Sequence, residues 1–516
     1  MARIVPPISR GHSKRLIKLF IIETSSCIPI QVFFQSNSFI LDRIARATVT
    51  PPAMVTLMIR LTLVEGIPPS LIDSIHDALW EKLMALRWRH TSMSDSTLVR
   101  PDERLSWGQM IALGIQHLVA MFGSTVLAPM LMGFDTNLAI LMSGIATLLF
   151  FAVVGGRVPS YLGSSFAFIP VVCAATGYVA GHGANPAIDL ALGGIIVCGA
   201  LYALCGLIVM WSGTGWIVKL LPPTVTGAVV ATIGLNLAPS AVGSVSGSTF
   251  NGVMALVTVL CIGSMAVLTR GVVQRLLLLI GILIAYALYF IAANLLGWGE
   301  PINFAPVRDA AWLGWPTFHT PTFEWTAILT IAPVFLILIA ENLGHVKAVG
   351  EMTGTSLDRW MGRAFLGDGL ATVLSGSVGG TGVTTYAENI GVMAVTRVFS
   401  TLTFLIAGIL AIVLGFSPRF GALVHTLPVP VLGGASIVVF GMISAAGVRI
   451  WMQNNVDLND HATLILISVT MILGAGNFSL SMGVVQLNGI GTSMLAAIIL
   501  NILFSNKHVR KMLERK

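Results

Sequence analysis

Charge is the scarcest property of this 516-residue chain: Asp, Glu, Lys and Arg make up 10% of it, against 55% hydrophobic residues. With a mean hydropathy of +0.88, that shortage excludes an ordinary soluble domain and implies a polytopic membrane protein. Cysteine is scarce too. Cys27, Cys173, Cys198, Cys205 and Cys261 form no CxxC pair and four lie in hydrophobic segments, so neither a disulfide framework nor a metal site is indicated. No Walker sequence, HExxH, GxSxG or two-metal carboxylate cluster occurs, which argues against an ATP-driven pump or a hydrolase and leaves no cofactor to expect. The 53 glycines suit close helix packing and hinges. A net charge of +7 raises nucleic acid as a partner, but the basic residues lie between apolar runs and form no stripe, so they read as topology signals.

What is present is a succession of apolar runs that can cross about 30 Å of hydrocarbon. They are expected at 108–132, 136–156, 162–180, 187–211, 221–239, 251–269 and 272–297, then at 323–345, 363–380, 382–394, 397–416, 426–446, 459–475 and 487–505. That is fourteen spans, seven plus seven, in an all-α membrane protein. If the first span starts in the cytoplasm, fourteen of the basic residues from Arg157 to Lys516 fall inside and only Arg308 and Arg419 outside, a bias that supports both count and orientation. Both termini are then cytoplasmic. The domains follow: an atypical extension at 1–92, a cytoplasmic lead at 93–107, a first repeat at 108–297, an outer connector at 298–322, a second repeat at 323–505 and a basic tail at 506–516. Because 1–92 has a basic start and an apolar run without a small-residue cleavage site, we expect translation to begin at Met93; a peripheral helix or small regulatory domain is the alternative.

The halves resemble each other. His117 in QHLVAMFG matches His345 in GHVKAVG, Ser164-Ser165-Phe166-Ala167 matches Thr384-Thr385-Tyr386-Ala387, and Pro223-x-x-x-Gly227-Ala228 matches Pro430-x-x-x-Gly434-Ala435. An odd number of spans per repeat inverts the second copy, the layout of many secondary transporters. The third and tenth spans, GGRVPSYLGSSFAF and SGSVGGTGVTTYAEN, are poor continuous helices. Short extended segments followed by half-helices are expected there, with freed backbone groups lining a cavity.

Two glutamates lie in the apolar surroundings, Glu341 in LILIAENLGHVKAVG and Glu388 in GGTGVTTYAENIGVMAV, each followed by an asparagine, Asn342 and Asn389. An ionisable residue at bilayer depth costs about 3 kcal/mol on insertion scales, so the pair marks a substrate or ion site; structural hydrogen bonds between helices are the alternative. Glu341 and His345 share one helical face. Carboxylates accept ring N–H groups of a planar heterocycle, and protonated carboxyls donate to carbonyls, so the pair suits both recognition and proton coupling. Phe166 and Tyr386 are core aromatics or a stacking wall for a flat ligand. Asp368 in FLGDGLATV either helps coupling or holds helices together.

The segments QHLVAMFGSTVLAP (116–129), PSYLGSSFAF (159–168), AENLGHVKAVGEMTG (340–354) and TTYAENIGVMAVTRVFS (384–400) resemble the nucleobase:cation symporters of the uracil and xanthine permease family, and the likeness runs from about residue 100 to the C-terminus. The resemblance implies inverted repeats, a substrate-holding core domain moving against a gate domain, and proton-driven uptake of uracil or another pyrimidine at the bacterial inner membrane. Glu341 and Glu388 would bind the ring edge, Phe166 would pack on the ring and Ala387 would present its backbone N–H. His345, the two glutamates and Asp368 would form the proton-coupling network, with Tyr386, His117, Asn342, Asn389 and Phe440 at the border. Phe440 and Asn342 depart from the family pattern, which has a tyrosine and a histidine there. A xanthine or urate permease and a transport-inactive nucleobase receptor are the rival readings; an anion carrier is opposed by the paired glutamates. The expected partners are the nucleobase, the proton and the lipid bilayer, and a large movable interface makes a homodimer reasonable.

Overall fold

A computed structural model describes residues 18–23, 26–31, 88–92, 98–179, 183–482, 485–487 and 489–505. The expected start at Met93 and the basic tail at 506–516 lie outside the described residues. The chain divides into two units, residues 1–86 and 87–516. Within the first, β1 (Lys18–Glu23) and β2 (Ser26–Gln31) pair antiparallel, with Ile22 opposite Cys27.

The second unit is helical apart from a few short strands, the first two of which, β3 (Arg89–His90) and β4 (Glu103–Arg104), pair parallel. Its main helices are α1 (Trp107–Met132), α2 (Thr136–Val154), α3 (Phe168–Thr176), α4 (Ile188–Ser212), α5 (Pro223–Val245), α6 (Thr249–Leu268) and α7 (Leu277–Phe290), the last continued by a π-turn to Leu295. After the connector come α8 (Trp325–Ile331), α9 (Val334–Thr353), α10 (Met361–Val378), α11 (Ala387–Thr396), α12 (Thr401–Gly415), α13 (Pro418–Val424), α14 (Val429–Gln453), α15 (His461–Ala475) and α16 (Gly489–Ser505). Among the described residues eight helices, α8 and α9 counting as one, are long and apolar enough to cross a membrane; the pair α12 and α13, bent by 87°, makes a ninth. The protein is therefore an all-α polytopic membrane protein. A helix occupies each of the fourteen apolar segments, but α10 fails the length-and-hydropathy test because glycines, serines and Asp368 dilute it. The segment at 323–345 is also not one uniform helix: it breaks at Ala332-Pro333, and α9 runs on to Thr353, carrying Lys347 and Glu351 on exposed positions.

Local chemistry sets the boundaries. Asp135 caps α2 by accepting from the N–H groups of Asn137 at 2.7 Å and Leu138 at 3.2 Å. Gly133 closes α1 in the left-handed region at φ 73°, where a side chain would be strained. Two extended pieces interrupt the helices, β5 (Leu162–Ser164) and β6 (Val383–Thr385), and they pair antiparallel with Gly163 opposite Thr384. These are the extended segments expected in the third and tenth spans.

Packing sorts the helices into two sets. The first joins α1, α2, α3, α4, α8, α9, α10, α11 and α12; the second joins α5, α6, α7, α14, α15 and α16, with sparser contacts between the sets. Each is keyed by glycines at a close helix crossing. A Cβ on Gly199 of α4 would lie 2.8 Å from the carbonyl of Gly369 in α10, and one on Gly206 would lie 2.7 Å from that of Gly362. Gly227 of α5 meets the carbonyl of Gly447 in α14 in the same way, at 2.8 Å. Small residues let backbones approach where lipid supplies no hydrophobic drive for association.

Residues before α1 are built into the first set. The indole N–H of Trp88 donates to Oγ1 of Thr401 at 3.0 Å and its ring stacks on Phe151 at 6.2 Å. Val99 donates its N–H to the carbonyl of Arg397 and accepts from Phe399, so this strand lies along the α11–α12 connection. Val99, Leu105, Met110, Val398 and Leu402 bury a small apolar cluster beneath it.

Candidate substrate site

The site is built on the paired strands. β5 cannot complete its backbone bonding within a two-stranded ladder, and a threonine of the preceding helix completes it: Thr147 Oγ1 in α2 accepts from the N–H of Leu162 at 3.0 Å. Thr372 Oγ1 in α10 does the same for β6, accepting from Val383 N–H at 3.2 Å and donating to its carbonyl at 3.1 Å. Ser164 and Thr381 hydroxyls are 2.6 Å apart. The strands are thereby fixed as pedestals for the half-helices α3 and α11.

Tyr386 directly follows β6 and is 4% exposed. Its hydroxyl accepts from Thr125 Oγ1 at 3.0 Å and donates to the Ser164 carbonyl at 2.8 Å, so it braces the two strands. Immediately after it α11 begins. The first intrahelical bond runs from Ile390 N–H to Tyr386, which leaves the N–H groups of Ala387, Glu388 and Asn389 ahead of the ladder and gives positive dipole character to that end.

Around this helix start the burial changes. Thr384, Thr385, Tyr386, Asn389 and Asn342 are buried, while Ala387 and Gly344 are exposed and Phe166, Glu341, His345 and Glu388 are partly exposed. Exposure is therefore kept, residue by residue, by the two glutamates, the histidine, Phe166 and the first residue of α11. Glu388 accepts a hydrogen bond from Ser124 Oγ at 2.5 Å. Glu341, on α9, is partly exposed and has no hydrogen-bond partner among the described residues. His345 Nδ1 lies 2.9 Å from Thr385 Oγ1.

The other expected residues stand behind this surface. Asn389 donates to the His117 carbonyl and its Nδ2 lies 3.0 Å from His117 Nδ1 as well, with the imidazole fully buried against Phe404. Asp368 is fully buried: Oδ2 accepts from Asn342 Nδ2 at 2.6 Å and from Tyr202 Oη at 3.3 Å. Phe440 belongs to the second helix set and lines a pocket of about 10 Å³ with Ser240, Ser244, Ser436 and Leu131. Sequence reasoning missed Ser124, Thr125, Tyr202, Thr147 and Thr372. Only the adjacent pair Ser124-Thr125, isolated hydroxyls in an apolar run, offered a signal.

Residues 108–483 match the model of a permease family, Xan_ur_permease, and the chain belongs to that family. It is a permease, not an enzyme. Among similar proteins is one from Escherichia coli K12 described as "Putative pyrimidine permease RutG", 61% identical over 423 residues that cover 82% of this chain and 96% of that protein. A uracil permease of Paenibacillus larvae is 40% identical over 422 residues, covering 79% and 97%, and the uracil permease of E. coli K12 is 40% identical over 415 residues, covering 78% and 93%. Two solved structures share the fold. The transmembrane domain of a cyanobacterial bicarbonate transporter, BicA, matches with a TM-score of 0.54 at 16% identity, covering 77% of this chain and 97% of that one. Murine Solute Carrier 26 family member A9, an anion transporter in the inward-facing state, matches at 0.57 and 11%, covering 77% and 68%. At these identities the likeness is of fold alone.

Proposed function

We propose that this permease is a proton-coupled symporter that imports uracil or a closely related pyrimidine nucleobase across the bacterial inner membrane. The observation that carries the reading is that Glu341 on α9 and Glu388 on α11 are both partly exposed on neighbouring elements, α9 being tied to the end of β6 by His345 and Thr385, and that Glu388 sits beside the N–H groups left ahead of the ladder at the start of α11. A pyrimidine edge alternates N–H donors with carbonyl acceptors, and these groups offer acceptors and donors to match. Phe166, before α3, covers the ring face. His345 and the glutamates carry the coupled proton, with His345 oriented by Thr385. The names and identities of the pyrimidine and uracil permeases support the same ligand class.

The architecture we propose is fourteen spans in two inverted repeats of seven. Its support is internal: in each half the first four segments join the first helix set and the last three the second. The bracing of β5 by Thr147 and of β6 by Thr372 repeats as well. The first set acts as the substrate-holding core and the second as the gate, with both chain termini in the cytoplasm.

The test is radiolabelled uracil uptake into proteoliposomes under imposed pH and sodium gradients, with thymine, xanthine and urate as competitors. Uptake that follows the proton gradient and resists xanthine supports the reading. Equal competition by xanthine moves the assignment to a purine carrier, and binding without counterflow to a receptor.

A further inference from the structure

Ser124 lies on α1, in the sequence 264 residues from Glu388, and its side chain is 1% exposed. The hydroxyl has one proton to give, and in this structure it goes to Oε1 of Glu388. Oε2 has no protein partner among the described residues. A glutamate at the second position of a half-helix otherwise samples several rotamers, and each such freedom opposes ligand binding because it must be frozen on association. We infer that Ser124 is a positioning residue: it fixes the plane of the Glu388 carboxylate and occupies one oxygen, so that the ligand meets a single, preset acceptor at that end of the site. This rests on the proposed role of Glu388 and adds to it a residue from a third element, α1, which neither the paired-glutamate pattern nor the half-helix geometry requires.

Its neighbour makes the division of labour clear. Thr125, the next residue, bonds Tyr386 and not Glu388, so it holds the pedestal, while Ser124 holds the binding group itself. A role confined to folding would lower the stability of the Ser124→Ala protein without changing how it handles ligand. A positioning role instead raises KM for uracil by about tenfold, the scale of one charge-assisted hydrogen bond, and changes the maximal rate by less than about twofold.

The experiment is uracil uptake by purified full-length protein in proteoliposomes, with thermal unfolding of each variant in parallel. Ser124→Ala is expected to raise KM, and Ser124→Thr, which keeps the hydroxyl, to restore most of it. In a Glu388→Asp background the shorter side chain no longer reaches α1, so adding Ser124→Ala is expected to change KM little further. A Ser124→Ala protein with wild-type KM, or with effects that add in full to those of Glu388→Asp, would overturn the inference and leave the proposed function standing, provided that Glu388→Gln is impaired. Wild-type uptake by Glu388→Gln would overturn both.

Discussion

Thr385 Oγ1 and His345 Nδ1 share a 2.9 Å hydrogen bond that ties the middle of α9 to the end of β6. The histidine is partly exposed, and no other hydrogen bond to its ring is recorded among the described residues. Thr385 thus decides which ring nitrogen faces the site. Replacing it by valine keeps the shape and the backbone pairing with Leu162 but removes the hydroxyl. Uptake by Thr385→Val is expected to fall at least about fivefold while Thr385→Ser stays near wild type, given about 1 kcal/mol for a neutral hydrogen bond. Equal uptake by the two variants would show that the hydroxyl does not matter.

Glu341→Gln and Glu388→Gln test the acceptors directly. An amide is nearly isosteric with a carboxylate but accepts through one oxygen only and carries no charge or exchangeable acid proton. Each variant is expected to lose more than about 90% of gradient-driven uracil uptake, the scale of a lost charged hydrogen bond. Glu341→Gln should suffer at least as much, because Glu341 has no donor among the described residues and, in the proposed role, takes its partner from the ligand. Filter-binding of uracil to the purified variants separates lost recognition from lost coupling.

Tyr202 supports Asp368 from α4, and the cluster with Asn342 is sealed from solvent. Tyr202→Phe removes one of the two donors to Asp368 and leaves a buried carboxyl group short of partners, at a cost of about 1–3 kcal/mol. The prediction is a clear drop in the thermal unfolding midpoint in detergent, with the fold retained by circular dichroism.

The glycine contacts give a sharper contrast. Gly369→Val forces a branched side chain into the backbone of α4, and overpacking of that kind costs about 1–3 kcal/mol or more. The variant is expected to express poorly and to unfold at lower temperature. Gly263 in α6 has nothing within 4 Å of a built Cβ, so Gly263→Ala is expected to leave the midpoint unchanged or raise it slightly. A similar loss from both changes would show that glycine matters here for reasons other than helix approach.

Trp88 lies on the N-terminal side of Met93, yet it stacks on Phe151 and bonds Thr401. A chain shortened to begin at Met93 is expected to unfold at a lower temperature than one retaining residues 88–92, and Trp88→Ala to reproduce most of that loss, about 1–3 kcal/mol for a half-buried ring and its hydrogen bond. Thermal unfolding of the three proteins side by side reads it.

What was legible in the sequence follows the physics of the bilayer. A carboxylate in an apolar run is conspicuous because burying it is costly, so Glu341, Glu388 and Asp368 stand out unaided. The strands were legible because glycine and β-branched residues crowd GGRVPSYLGSS and SGSVGGTGVTT, where a continuous helix is disfavoured. The serines and threonines that complete the site were not. Thr147 is also within 2.8 Å of its own i−4 carbonyl, the ordinary satisfaction of a hydroxyl in an apolar helix, and nothing local distinguishes it from Thr353 or Thr396, which make only local bonds. Tyr386 is a related case: its aromatic character fits core packing and stacking alike, whereas its hydroxyl ties together partners that only the fold brings near. The bend before α13 is not legible either, since Pro418 lies between two apolar runs, a position that suits a plain loop as well.

The reciprocal glycine contacts fall inside each helix set, α4 against α10 and α5 against α14. A small inhibitor that touched only Glu341, Glu388 and Ala387 would belong to one set and leave the other free. A longer compound that touched both sets at once would act as a splint across the seam between them. Selectivity for this protein over its relatives can then be sought at the distal end of such a molecule, away from the paired carboxylates.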